Sequence, residues 1–402
     1  MEPVKECYYP QLSEMISGIE SWLKANDYNY IECNHVPERL FGKNRKINTL
    51  LRTFFRLCPY NLRNMKRPVS GFYPFTPQSH VALLKAYALT KDTEIIKKLY
   101  NRVLNLRSQK SRHFALKQGI RIAINLYENS ADDPTPLNTI WFGQFLLEEH
   151  SKVIEESERK ELLYSIVAYL TEELGYVDYG EQGIYFYYGP TLKKEIYNAS
   201  AIISAFLIKV GIKYGESFFV ELGQRGLKYI CRKQNVDGSW FYAGSPERPT
   251  IDCFHQSYIL QAICSVKEYL HFDVNETIKK GVEFYKTLFV KEKGWIRPMR
   301  YDKRYIPHNT WLFVKVDGRD ISEALIFFTK YYVDKEFVEK LIKYTYYEFY
   351  NKKKGYMIPE YFIYGKNRIP YIEFQAWFLY AFNILKLSLI HISEPTRHAQ
   401  IS

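Results

Sequence analysis

Four acidic side chains and one imidazole carry most of the chemistry this sequence offers, and they recur at comparable places. Asp252 and His255 stand one helical turn apart in DCFHQSYIL, Asp320 and Glu323 repeat that spacing in DISEALIFF, and Glu373 opens EFQAWFLYAF. A carboxylate one turn from an imidazole holds the ring ready for proton transfer. Two carboxylates across a cleft, such as Asp252 and Glu373, suit cleavage of a glycosidic bond. Asp252, Asp320 and Glu373 also sit where a helix cap belongs, because a carboxylate there accepts the unpaired N–H groups of the first turn. Asp320 with Glu323 has the form of an acidic capping box, and capping is the leading account of that pair. Asp252 with His255 is the better chemical pair.

Binding candidates surround these acids in the chain. Tyr187, Tyr188, Trp240, Tyr242 and Trp295 have ring faces that stack on sugars, although packing within short hairpins is the ordinary role of each. Arg297, Arg300 and Arg319 precede or open one helix and together would clamp a carboxylate or phosphate. Asn198 adds a polar group at a helix start. His150 and His308 have no local partner.

The elements that must position these residues repeat. Apolar helices are predicted to begin at Ser79, Asn138, Asn198, Asp252, Asp320 and Glu373, at intervals of 53 to 68 residues. Each opens on a polar or acidic residue and is apolar on most sides, as a buried helix requires. Between them lie amphipathic, charged helices: Thr93 to Leu106, Glu156 to Glu173, Glu216 to Cys231, Val274 to Leu288 and Lys335 to Phe349. A glycine and an aromatic residue precede most inner helices, at Gly71-Phe72, Gly175-Tyr176, Gly238 with Trp240, Gly294-Trp295 and Gly355-Tyr356. A helix pair of this kind cannot bury its apolar face alone, so copies must stack beside it. The expected fold is all-α: an α/α toroid of about six inner and six outer helices, with short aromatic β-hairpins at one mouth. Six parallel helix N-termini, each with partial positive charge, would converge there.

The stretch from Arg225 to Leu260 carries two resemblances. Arg225-Gly226, Tyr229-Ile230, Gln234, Gly238 and Trp240 resemble the QW repeat of the squalene-cyclase and protein-prenyltransferase toroids. There the Gln amide ties a helix end to the next turn and the Trp packs over it. Asp237-Gly238-Ser239-Trp240 with Ile251-Asp252, Phe254-His255 and Tyr258 is similar to a pattern in toroid proteins encoded beside surface-polysaccharide biosynthesis genes. The resemblance implies a six-hairpin glycosidase-like scaffold and names no substrate.

Composition narrows the partners. The 402-residue chain has a formal net charge of +12, with 36 Tyr and 26 Phe, but its Lys and Arg are spread along the chain. Without a basic arm or a nucleic-acid-binding signature, nucleic acid is not expected, while an anionic glycan stays open. The six cysteines show no metal-type or paired spacing, which reads as reduced thiols, and neither a metal nor a cofactor is expected. Asp132-Asp133 is a loop rather than a diphosphate motif, and no phosphate loop, dinucleotide fingerprint or nucleophile elbow occurs. A polar N-terminus and the lack of eighteen uninterrupted apolar residues predict a cytoplasmic protein without a transmembrane segment. Residues 1–70 are expected to supply outer helices or a lid, 71–387 the toroid, and 388–402 a foreign tail. Ser388 to Arg397 resemble a sequencing-adapter read-through, so the native chain is expected to end near Leu387 with a final outer helix missing.

Together these features point to a carbohydrate-active enzyme of surface-polysaccharide metabolism acting on a glycan or lipid-linked oligosaccharide by hydrolysis, β-elimination or uronate epimerisation. A non-catalytic glycan-binding scaffold and an isoprenoid-handling protein are the alternatives.

Overall fold

The structure is a computed structural model and describes residues 9–30, 44, 46–48, 50, 76–119, 122–123, 128–149, 153–189, 193–244, 249–292, 294–305, 314–362 and 365–393. Helix α1 (Tyr9–Ala25) is followed by five helical hairpins and a last long helix. In chain order these are α2 (Pro77–Thr90) with α3 (Thr93–Leu104), α4 (Pro136–Glu148) with α5 (Glu156–Ala168), α6 (Tyr197–Tyr214) with α7 (Ser217–Arg232), α8 (Cys253–Cys264) with α9 (Asn275–Thr287), α10 (Gly318–Lys330) with α11 (Lys335–Glu348), and α12 (Ile372–Ser393). The even-numbered helices pack in the cycle α2, α4, α6, α8, α10, α12 and back to α2, so the inner ring is closed. The protein is an α/α toroid.

Burial explains the division into two rings. In α6 nearly every residue from Tyr197 to Gly211 is buried, and its sequence is apolar on all sides. The outer α7 buries only Leu222, Gly223, Gln224, Gly226, Leu227, Tyr229 and Ile230, one stripe of a helix with a wet opposite face. These two helices approach closely because α7 presents glycine at the contact. A Cβ on Gly226 would stand 2.0 Å from Ser204 Oγ.

The sixth outer place is filled from the start of the chain. Helix α1 lies against α12 and α11. Tyr346 of α11 donates to Glu14, while Asp27, just beyond α1, pairs with Lys98 and with Arg102 (2.7 Å) of α3. The outer ring therefore closes through α1. The basic stretch around Lys43, the run Leu50 to Arg63, Gly71-Phe72, His150 and His308 lie largely or wholly outside the described residues.

Connections at the two ends of the ring differ in length. Inner helices pass to outer helices through short turns, such as Lys91-Asp92 and Gly215-Glu216. Outer helices return through long segments carrying antiparallel strand pairs: β1 (Ile122–Ala123) with β2 (Glu128–Asn129), β3 (Tyr176–Asp178) with β4 (Ile184–Phe186), and β5 (Phe289–Glu292) with β6 (Trp295–Pro298). After these come β7 (Val316–Asp317), β8 (Tyr350–Asn351) paired with β9 (Tyr356–Met357), and β10 (Glu360–Phe362) between β7 and β11 (Gly365–Lys366). All the long segments arrive at the N-terminal end of the inner helices, which forms the mouth. The opposite end is the floor.

One device docks these segments four times. The fourth residue of an inner helix bonds the backbone of the segment leading into it: Thr139 Oγ1 accepts from the N–H of Leu116 (2.9 Å), and Ser200 Oγ from Phe186 (3.1 Å). Gln256 and Gln375 do it twice over, accepting from and donating to Trp240 (3.0 and 2.7 Å) and Met357 (2.8 and 2.8 Å). Trp240 is fully buried and donates through Nε1 to the Ile230 carbonyl at 2.9 Å, while the Gln234 amide donates to Gly238 and Thr277 carbonyls at 3.0 and 2.9 Å. Gly238 has φ 89°, and a Cβ there would meet the Lys280 carbonyl at 2.2 Å, so only glycine fits the turn. Among the described residues, no helix is long and apolar enough to cross a membrane.

Candidate active site

The mouth is organised by Asp252, which caps α8 from an extended backbone at φ −128° and ψ 157°. Its Oδ1 accepts from the backbone N–H of His255 at 3.3 Å, and its Oδ2 from His255 Nδ1 at 2.5 Å. The segment before α8 pairs with the chain leaving β6: Cys253 donates to the Arg300 carbonyl (3.1 Å) and Asp302 to the Ile251 carbonyl (3.0 Å). That pairing delivers the Arg300 guanidinium to the same corner, 3.8 Å from Asp252 Oδ1 and 2.9 Å from Asp320 Oδ1.

Two buried carboxyls thus share one arginine, and they are driven apart. Burial alone would raise Asp252, but His255 and Arg300 hold its carboxyl below the usual range. Asp320 has no exposed surface, and burial pushes its carboxyl well above the usual range in spite of Arg300. Since an ionised Asp252 can only accept, His255 Nδ1 is the donor of that bond and Nε2 is the ring nitrogen left to meet a substrate. Around the imidazole stand Phe254, Tyr242 and Tyr258, with ring centres at 4.0, 4.7 and 5.8 Å. The His255 side chain keeps 16 % of its surface exposed against 4 % for Asp252. The imidazole therefore faces outward and the carboxylate stands behind it.

A second cluster lies across the axis. Arg319 is buried, stacked 3.5 Å from the centre of the Trp377 ring, and donates to the Tyr258 hydroxyl at 2.5 Å. It meets Glu323 at 3.0 Å and Glu373 at 3.9 Å. Glu373 also accepts from the Gln78 amide at 2.8 Å, and burial raises its carboxyl while Arg319 opposes the rise. Tyr258 touches both clusters. Together with Trp141, also facing the Arg319 guanidinium, these side chains fill the axis below the mouth.

Several expected roles change accordingly. Trp240 offers no face to a sugar ring, because it is wholly buried beneath Gln256 and the end of α7. Asp320 reaches no substrate; it accepts from Arg300 and from the N–H of Phe254 at 3.1 Å, so it orders the corner from beneath. The three arginines form no common clamp: Arg297 is paired with Glu292 within the β5–β6 hairpin at 2.9 Å, Arg300 with the two aspartates, and Arg319 with the central cluster. Trp295 packs on Tyr344 and Tyr347 of α11, at 6.2 and 6.0 Å. Tyr187 and Tyr188 are half-buried near the β3–β4 hairpin, with Lys193 over the Tyr187 ring at 5.0 Å. Asn198 is buried at the start of α6, and among the described residues neither of its side-chain polar atoms has a hydrogen-bond partner.

Gln78, Tyr258 and Trp377 belong to the site region and were not singled out as functional from the sequence. The available signal was register: Gln78 is the second residue of α2, and Tyr258 and Trp377 are the sixth residues of the inner helices α8 and α12. Among the described residues, no three His, Cys, Asp or Glu side chains form a metal-type group, and Cys231, Cys253 and Cys264 are unbridged.

No protein-family model and no curated protein matches the chain. Solved structures do match in fold. A glycoside hydrolase family 76 mannosidase from Bacteroides thetaiotaomicron is 9 % identical with a TM-score of 0.57, covering 95 % of this chain and 99 % of that one. A D-mannose isomerase is 10 % identical at a TM-score of 0.59, covering 96 % and 100 %. Cellobiose 2-epimerase from Bacillus thermoamylovorans is 10 % identical at 0.60, covering 92 % and 98 %. The chain thus shares, nearly end to end, the α/α-toroid fold of proteins described as glycoside hydrolases, sugar isomerases and sugar epimerases.

Proposed function

We propose that this protein is a carbohydrate-processing enzyme that moves a proton on a sugar, an isomerase or epimerase, with His255 as the base and Asp252 as its positioning residue. The observation that carries the reading is the outward imidazole fixed through Nδ1 by a buried, ionised carboxylate. Removing a proton from a carbon next to a carbonyl needs one base near neutrality and a positive environment for the enolate oxygen. The converging N-termini of the inner helices favour that charge. Tyr242 and Phe254 give the sugar apolar walls beside the imidazole.

Hydrolysis by Asp252 and Glu373 is the weaker fit. Asp252 stands behind His255 with 4 % of its side chain exposed, so it has no path to an anomeric carbon. The uronate version loses its arginine clamp for the reason given above. Similarity in fold to a D-mannose isomerase and a cellobiose 2-epimerase supports the proton-transfer reading. A glycan of surface-polysaccharide metabolism as substrate, and a cytoplasmic location, are part of the same proposal and rest on the sequence pattern from Asp237 to Tyr258.

The test is solvent exchange. Purified protein incubated in D2O with free reducing mono- and disaccharides should replace the hydrogen next to the carbonyl, read by proton NMR, and His255→Asn should abolish the exchange. An inert wild-type protein that still binds the sugars would favour the glycan-binding alternative, and exchange untouched by His255→Asn would end the assignment.

A further inference from the structure

The floor of the ring holds charges that the mouth does not use. Behind Tyr258 and Trp377 lies a pocket lined by Lys85, Gln144, Glu148, Lys209, Tyr331 and Tyr380. Its free space is that of about three water molecules, too small for a sugar ring and enough for a small anion. Lys85 is 7 % exposed, its Nζ donating to Gln144 Oε1 at 2.8 Å and lying 4.9 Å from the centre of the Tyr380 ring. Among the described residues, neither Lys85 nor the half-buried Lys209 has a carboxylate oxygen within 4.0 Å of its ammonium. Lys330, at the rim, meets Glu148 at 3.5 Å. Three ammonium groups thus face one carboxylate. Glu323, on the inner wall, is already engaged by Arg319 and by the Gln261 amide at 2.8 Å.

Enclosing an ammonium without a counter-charge is costly. The carbonyl ends of the inner helices offset part of that cost, but their field fades within the last turn. Lys85 stands more than one turn before the end of α2 at Thr90. The pocket therefore holds more positive charge than its free carboxylate offsets, at a place where there is room for an anion.

We propose that this pocket binds a small oxyanion of the phosphate class, held by Lys85 and Lys209, with the Gln144 amide and the Tyr380 hydroxyl as further donors. Several donors converging from different helices suit a tetrahedral anion better than a halide. The source is either free inorganic phosphate or the phosphate of a monoester whose remainder projects from the floor. The inference is independent of the reading of the mouth.

Calorimetry on the full-length protein with inorganic phosphate, with a hexose phosphate, and with chloride at matched ionic strength tests it. Saturable binding of phosphate and none of chloride is expected. Lys209→Gln should weaken binding about tenfold and Lys85→Met at least as much. Equal affinities for the two phosphates assign the pocket to the free ion, and tighter binding of the hexose phosphate assigns it to a monoester. Lys209 is half-buried, so its variant keeps the test valid even if Lys85→Met fails to fold. Absence of saturable binding up to about 10 mM phosphate, or affinity unchanged in both variants, would overturn the proposal.

Discussion

At the mouth, His255, Asp252, Arg300 and Asp320 form a chain in which each charged group has a partner within 3.8 Å. At the floor, Lys85 of α2 and Lys209 of α6 face a pocket whose lining carries Glu148 and Glu323, the latter already engaged by Arg319. The two ends are separated by Arg319 stacked on Trp377. The mouth receives every long segment, so it can gather side chains from distant parts of the chain around one imidazole. The floor has mostly short turns, so its chemistry comes from the inner helices themselves. Chemical variety at an end of a toroid follows from the length of the connections there, and charge at the other end follows from the facing helix surfaces.

The comparison can be broken most sharply at His255. His255→Asn should lower turnover about 10²- to 10⁴-fold with little change in melting temperature, since the ring contributes the proton transfer rather than the core. A loss of fold with no specific loss of exchange would erase the distinction between the two ends. Next comes the plug. Arg319→Met leaves Glu323 and Glu373 without their cation and should cost about 3–5 kcal/mol in denaturant unfolding, a loss much greater than that from any exposed arginine.

A smaller effect is expected from the floor under alkaline conditions. Burial, outweighing Glu148, lowers the Lys85 ammonium to about 8. An unfolded lysine titrates near 10.4, so between pH 8 and 10.4 the unfolded chain binds more protons and folding stability rises with pH. The full rise is about 3 kcal/mol by that difference. Lys85→Met should flatten it, and a bound phosphate should reduce it by restoring the counter-charge. Stability falling across that window in the anion-free protein would contradict the buried ammonium. The smallest effect belongs to the cap of an outer helix: Asp92→Ala removes the carboxylate that accepts from Ile95 at 3.1 Å and should cost about 1 kcal/mol with no change in sugar exchange or phosphate binding.

Much of the ring was legible in the residues. Inner helices observed to start at Pro77, Pro136, Tyr197, Cys253, Gly318 and Ile372 lie within two residues of the starts expected from Ser79, Asn138, Asn198, Asp252, Asp320 and Glu373. Outer helices start within one residue of the amphipathic runs, because both signals are local and periodic, but the run to Glu173 passes into a π-helical turn after Ala168. The fifth inner helix shows the limit: its cap is Asp317, whose carboxylate accepts from the N–H of Arg319 at 3.0 Å, and Asp320 lies inside the first turn, committed to Arg300. A cap and a buried acid three residues later look alike in a sequence. Only the arrival of Arg300 from another segment tells them apart.

What the sequence determined by itself was periodicity, hence the number of helices, their division into two rings, and the pairing of Asp252 with His255 across one turn. Tertiary structure alone decided that Trp240 lies in the core, that the three arginines serve three different carboxylate sets, that α1 closes the outer ring, and that lysines from separate hairpins meet at the floor. The reason is physical. Periodicity and capping act within a few residues, whereas burial and ion pairing depend on which residues from distant hairpins the closed ring brings face to face.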